Sequence, residues 1–538
     1  MQGKKRYSEK LFVHFQLSDR VPEDNFYRQL DNALDFKFLY QATASFYGDE
    51  GQQSIDPVVF FKLMMVGYFE NLSSDRRIIT TASMRLDILY FIGYDIDEPL
   101  PWHSTLSRTR QLYGEEIFLQ LFQKVLSLCV QQGMVRGKRQ AIDSAFIKAN
   151  ASLDSLLEKE IVDDAVDYIE SLENESDDKQ KNDIDEKPAN ENQTVKASTK
   201  KWVDKHHAWK EKEYKDQPGK GNITGQTNKI NNLDEHGDII RPKFLSNHTH
   251  YSPTDPDARI SVKPGKARQL NYFGQLAVDD AHHVITGAMA NFADKRDSQC
   301  LPAILDQAIN NLAQNNITIA EIGADSAYSS GLALAHAEQN NITAYIPNFG
   351  QYRNSREGFI YNKEQDQYEC QRGNKAILPF KGIRTDSKGY DKKIYRSSET
   401  DFKNCPLRKS CAGEKTKFKK LDDTVDKPYY DRMHERMQTE YAKKMVRIRS
   451  KTVEPVLGTL LNFMGMRRVN TRGIKQANKH VLMASLCYNL KKYLKFNRQN
   501  PVANKNYKLI QGKQLPNYIS RLFYMHFKRI CGMQILVN

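Results

Sequence analysis

Three carboxylates in this chain have the surroundings that phosphate chemistry needs. The stretch Gln140-Ala141-Ile142-Asp143-Ser144-Ala145-Phe146 reads as a short strand. Ile142, Ser144 and Phe146 fall on one face, Ala141, Asp143 and Ala145 on the other. Asp143 then lies among small residues on a face that otherwise looks buried. A carboxylate there is costly unless it is paired or holds a metal; taken alone, it reads first as an ordinary acid near a strand end. A second acid, Asp325, stands at the C-terminal end of a strand-like run that begins at Ile317. A third, Glu454, precedes Pro455, and proline suits the first turn of a helix, so Glu454 is expected at a helix N-terminus. Converging acids of this kind can bind two divalent cations. One activates the attacking oxygen and the other stabilises the leaving oxygen in phosphoryl transfer. Mg²⁺, or Mn²⁺ in its place, takes hard oxygen ligands and keeps several waters, so three carboxylates suffice. Arg447, Arg449 and Lys451 precede the third acid, and Arg467, Arg468, Arg472 and Lys475 follow it. They could clamp DNA phosphates beside the metals, or form solvated helix faces.

The elements that position these residues must come from a chain of 538 residues, long enough for two to four domains. No apolar run approaches the length of a bilayer span, and the basic N-terminus is followed by no signal-like apolar segment. The seven cysteines are odd in number and mostly scattered, which points to a reducing, cytoplasmic compartment. The net charge of +14 hides an asymmetry. Residues 154–186 carry 14 acidic and 3 basic side chains, a net −11, which leaves +25 on the remainder. Such an excess implies a polyanionic partner, with DNA first.

Residues 1–135 read as helical. Asp56-Pro57 is a helix start, and Trp102-His103-Ser104-Thr105-Leu106-Ser107-Arg108-Thr109-Arg110 reads as a helix capped by Ser104. That helix suits a helix-turn-helix-like DNA reader exposing Arg108 and Arg110, or equally a core helix with two solvated arginines. Residues 153–251 form an acidic and polar insertion, with a helix expected over 153–172 and disorder after it. His206-His207 is a weak metal motif within it. Strand, hairpin, helix, strand, helix and strand follow in order from 272 to 347, which makes a mixed α/β sheet. Residues 351–430 are strand-rich and carry Cys370, Cys405 and Cys411, one ligand short of a four-cysteine zinc site. Helices return after 431, and the tail beyond 495 is basic and aromatic.

In this order, Trp102 to Arg110, Ala141-Ile142-Asp143-Ser144, Leu270-Asn271-Tyr272 through Asp279, Gly323-Ala324-Asp325-Ser326-Ala327-Tyr328, Val453-Glu454-Pro455-Val456-Leu457-Gly458, Arg472-Gly473-Ile474-Lys475 and Tyr488-Asn489-Leu490 resemble a DDE transposase of a bacterial insertion sequence. The resemblance covers nearly the whole chain. It implies an RNase H-like catalytic core: a mixed sheet flanked by helices, with an all-α N-terminal domain and a strand-rich insertion between the second and third acids. It makes Asp143, Asp325 and Glu454 the metal-binding triad for two Mg²⁺ or Mn²⁺ ions. The implied chemistry is nicking of the element's ends, then attack of the freed 3′-OH on target DNA. The implied partners are terminal inverted repeats and target DNA, with a homodimer to pair the two ends, a nucleoid-associated cytoplasmic location and no membrane. The domains expected are a DNA-binding domain at 1–135, core at 136–152 and 252–350, insertions at 153–251 and 351–430, a helical end of the core at 431–495 and a tail at 496–538. Relatives often place Tyr seven and Arg four residues before the Glu; here those positions hold Arg447 and Ser450, so Arg449, Lys451 and Arg467 are the expected substitutes. The cysteines resemble a zinc-ribbon-like pattern in which Phe402 stands for one Cys. Two other readings fit the same residues: a metal-dependent nuclease of this fold without strand transfer, and a decayed or domesticated DNA-binding protein.

Overall fold

The computed structural model describes residues 15–48, 50, 54–162, 193–205, 245–261, 268–350, 352, 356–373, 375–386, 390–412 and 416–499. The disorder expected after 172, the His206-His207 pair and the tail beyond 499 lie outside these residues.

The N-terminal helices begin where local chemistry permits. Asp56 accepts hydrogen bonds from Val58 N at 2.6 Å and Val59 N at 3.2 Å, and Pro57 fills a position that needs no N–H. The helix Pro57–Phe69 is apolar around most of its circumference and is buried to match. The helix His103–Leu112 starts one residue before Ser104. Its N-cap is Trp102, so Ser104 lies in the first turn and does not cap.

β1 (Arg139–Lys148) opens the main sheet. Four short strands of the first insertion follow: β2 (Leu157–Glu158), β3 (Glu160–Val162), β4 (Thr194–Lys196) and β5 (His250–Tyr251). Of the helix expected over 153–172, the described part holds only a single 3₁₀ turn, Leu153–Ser155, and no α-helix. β2 pairs with β5 and β3 with β4, so partners distant in sequence override local helix propensity. Then come β6 (Arg259–Ser261), β7 (Gln269–Asp279), β8 (Ile285–Phe292), β9 (Glu321–Gly323) and β10 (Thr343–Tyr345). The sheet runs β10-β9-β1-β7-β6, with β8 also on β7. β1 is antiparallel to β7 and parallel to β9, giving the mixed α/β sheet expected from the sequence.

Helices cover both faces. Asp297–Ala313 and Gly331–Gln339 pack on the side of Ile142 and Ala277. Glu440–Phe463 and Ile474–Gln499 pack on the side of Ala141, Ala145 and Leu276, in one core with the N-terminal helices. Lys479 ties the two parts together. Its buried ammonium donates to Arg110 O at 3.0 Å and Tyr113 O at 2.6 Å. The last helix is anchored by an acidic loop: Asp255 Oδ1 accepts from Gly473 N at 3.0 Å, and Asp257 Oδ2 from Ile474 N at 2.9 Å.

A second sheet of five antiparallel strands, β11 (Phe359–Asn362), β12 (Gln367–Cys370), β13 (Ile377–Thr385), β14 (Asp391–Arg396) and β15 (Lys420–Thr424), forms the later insertion. Tyr368, Leu378 and Tyr395 are its small buried core. Among the described residues no helix is long and apolar enough to cross a membrane.

Candidate active site

Asp143 and Asp325 reach one level of the sheet through strand register. Ala141 on β1 pairs with Gly323 on the parallel strand β9. Each acid lies two residues beyond that pair. Asp325 stands past the last strand residue, where it is the N-cap of a short 3₁₀ turn, Ser326–Tyr328, and accepts from Ala327 N at 3.0 Å. It is therefore held by a turn and not by the strand itself.

Glu454 arrives from the helix above. The break expected at Pro455 does not occur, and one helix runs from Glu440 to Phe463 with Pro455 inside it. Thr439 begins it, its hydroxyl accepting from Ala442 N at 3.1 Å. A mid-helix proline loses one hydrogen bond and kinks the helix without having to end it. Glu454 is thus an interior helical residue, 58 % exposed. The helix approaches β9 closely: a Cβ on Gly323 would lie 3.4 Å from Arg449 Cβ.

Arg449 joins the first and third acids. Its Nη1 donates to Asp143 Oδ2 at 3.0 Å and its Nη2 to Glu454 Oε1 at 3.3 Å. Burial pushes the Asp143 carboxyl up to about 6. The Ser144 N–H, at 2.8 Å, and the Arg449 charge favour its ionised form, while Asp325 and Asp297 oppose it. Asp279 makes an instructive contrast. It is fully buried, but it accepts from Gly137 N, Arg136 N, Ala281 N and Gln140 Nε2, so it is a satisfied structural acid.

A fourth acid, Asp297, was not singled out by the sequence, where it reads only as a helix start. Ser144 Oγ donates to its Oδ1 at 2.5 Å. Burial and the Asp325 charge raise its carboxyl, while the Ser144 hydrogen bond lowers it. The side chains of Gln275 and Tyr328 lie beside it, and Tyr328 Oη donates to Gln275 Oε1 at 2.5 Å.

The basic residues divide into two groups. Arg447 and Lys451 are exposed and share a helix face with Glu454 at i, i+4 and i+7 spacing. Arg467, Arg468 and Arg472 are exposed as well. The first two are stitched to the end of β1, where Lys148 N donates to Arg467 O at 3.0 Å and Val469 N to Lys148 O at 2.9 Å. Arg468 also donates to Asn150 Oδ1 at 2.9 Å. Arg108 is exposed. Two candidates do not face solvent in this way. Arg110, expected from sequence to be exposed, is buried and pairs with Asp75 at 2.6 Å, so it ties the N-terminal helices together. Arg449 is 12 % exposed and committed to two acids.

Among the described residues, no group of three His, Cys, Asp or Glu side chains is arranged to hold a metal ion. Cys370, Cys405 and Cys411, considered from sequence as zinc ligands, are not gathered into such a group among the described residues. All three are free thiols, Cys370 Sγ donates to Arg372 O at 2.9 Å, and Phe402 is buried as a core residue. At the three acids, the Arg449 guanidinium lies between Asp143 and Glu454. The donor set still suits Mg²⁺ or Mn²⁺, since it offers carboxylate oxygens alone, that of Asp143 being partly buried.

Two family models match the chain. One, a transposase domain, covers residues 15–112. The other, a transposase DDE domain, covers residues 369–494 and so includes Glu454 but not Asp143 or Asp325. No curated protein matches the chain.

Proposed function

We propose, for a chain that belongs to the DDE transposases of insertion sequences, that Asp143, Asp325 and Glu454 form its active site and that it cuts the ends of its element and joins them to target DNA. The observation that carries this reading is the convergence itself. Asp143 on β1 and Asp325 just past the end of the parallel strand β9 stand at one level of the sheet, and Glu454 is linked to Asp143 through a single guanidinium.

Asp143, Asp325 and Glu454 would hold one or two Mg²⁺ or Mn²⁺ ions, which when bound supply positive charge to the attacking and leaving oxygens. The chain's own residues do the rest. Ser144 N–H and Arg449 keep Asp143 ionised at neutral pH despite its burial. Arg447 and Lys451, on the Glu454 face, neutralise phosphates flanking the scissile one. Arg467, Arg468 and Arg472 extend that surface past the end of β1. Arg108 contributes a further contact from the N-terminal helices. Two element ends must be cut together, so the working form is a homodimer on paired ends.

The test is strand transfer with a duplex carrying the inverted repeat that flanks the gene, in Mg²⁺ or Mn²⁺. Joined products are expected from the native protein and none from Asp143→Asn. Cleaved but never joined products would make it a nuclease of this fold. DNA binding without any metal-dependent cleavage would make it a binding protein only.

A further inference from the structure

Asp143 and Asp325 are brought to one level by the pairing of β1 with β9, yet β9 is three residues long and ends before Asp325. Something further must hold the two acids in register. On the face of the sheet opposite Asp143, the next residue, Ser144, donates to Asp297 Oδ1 at 2.5 Å. Ser144 is also paired across the sheet with Gln275. Gln275 Oε1 accepts from the buried Tyr328 hydroxyl at 2.5 Å, and Tyr328 is the last residue of the turn that Asp325 caps. Tyr328 N closes that turn on Asp325 O at 3.2 Å. Asp297 stands against this cluster, and the Gln275 Nε2 that approaches it completes no hydrogen bond.

Asp297 has no simpler occupation. It is the first residue of the helix Asp297–Ala313, but the N-cap is Arg296. Its carboxylate bonds a strand residue and not its own helix amides. Among the described residues it forms no ion pair. A partly buried carboxylate without a cation, near two other acids, is a cost that the helix N-terminus only partly offsets.

We propose that Asp297 is a positioning residue for the catalytic acids. Through Ser144 it sets β1 at Asp143, and through the Gln275–Tyr328 contact it sets the turn that carries Asp325. This rests on the active-site reading above. Groups that hold metal ligands from behind govern metal affinity nearly as strongly as the ligands themselves, typically by about 10–100-fold when removed.

The experiment is calorimetric titration of Mn²⁺ into the full-length protein and its variants, with melting temperatures measured alongside. Asp297→Ala and Ser144→Ala should each weaken Mn²⁺ binding by roughly tenfold or more. The double variant should be no worse than Asp297→Ala, because both remove one link. Asp297→Asn keeps an oxygen to accept from Ser144 and should stay within about threefold of the native affinity. Unchanged affinity in Asp297→Ala, additive losses in the double variant, or an Asp297→Asn loss as large as that of Asp297→Ala would each overturn the proposal. The last of these would make Asp297 a direct ligand. If Asp297→Ala fails to fold, Ser144→Ala and Asp297→Asn decide alone. Asp143→Asn separates the two readings. If it leaves Mn²⁺ binding intact, the active-site assignment fails. If it abolishes binding while Asp297→Ala does not weaken it, only the positioning role fails.

Discussion

Arg449 Nη1 lies 3.0 Å from Asp143 Oδ2, and the same guanidinium reaches Glu454. An arginine five residues ahead of the third acid on the same helix therefore supplies the positive charge that the first acid needs in the absence of other cations. Arg449→Ala leaves a buried carboxylate unpaired. The Asp143 carboxyl then rises above about 6, and the pH at which cleavage reaches half its maximum moves upward. Arg449→Lys restores charge without the fork that spans two acids, so it is expected to fall between the two. A pH–rate profile of end cleavage for the three proteins checks this.

The native protein has its own pH signature. The Asp143 carboxyl is raised from its ordinary 3.8 to about 6 in the folded chain. The folded state therefore binds more protons than the unfolded chain between these values, and this acid's contribution to stability declines as pH rises from 3.8 to about 6. Metal binding has the opposite sense, because a ligand must be ionised. Mn²⁺ affinity should fall about tenfold per pH unit below about 6. An affinity flat from pH 7 down to 5 would contradict the assignment of Asp143 as a ligand.

Arg108 and Arg110, two residues apart, are expected to behave in opposite ways. Arg110→Ala breaks a buried pair with Asp75 and should cost stability on the order of 3–5 kcal/mol, visible in urea unfolding. Arg108→Ala should leave unfolding unchanged and weaken DNA binding. In a salt titration it should reduce the slope of log affinity against log salt by about one phosphate contact.

Arg447 and Lys451 are expected to act as phosphate contacts beside Glu454. Arg447→Ala and Lys451→Ala should each lower the same salt slope by roughly one contact, without dependence on the DNA sequence used. A change in sequence preference with an unaltered slope would assign them to base reading instead.

Much of this was legible in the chain itself. The period-two pattern around Asp143 is a property of neighbouring residues, and it placed the acid on the correct strand and face. The mixed α/β character of the sheet followed from the alternation of strands and helices. What escaped depended on partners far along the chain. Arg110 looked solvated because Asp75, which buries its charge, is 35 residues away. Asp297 looked like a helix start because its partner Ser144 is 153 residues away. Pro455 suggested a helix beginning, yet packing of Val453, Val456 and Leu457 into the core carries the helix through it.

The Lys479 ammonium, buried between Arg110 O and Tyr113 O, means that the N-terminal helices and the last helix of the catalytic core share one interior. Arg108 and Asp143 are therefore fixed points on a single rigid frame. Under the proposed function, such a frame would work as a ruler laid along the duplex, setting how many base pairs separate the sequence gripped at Arg108 from the bond cut at Asp143. Inserting five base pairs between them, about half a helical turn, should not be absorbed by a hinge. It would carry the cut along with the grip, or abolish cleavage by turning the scissile phosphate to the far side of the helix.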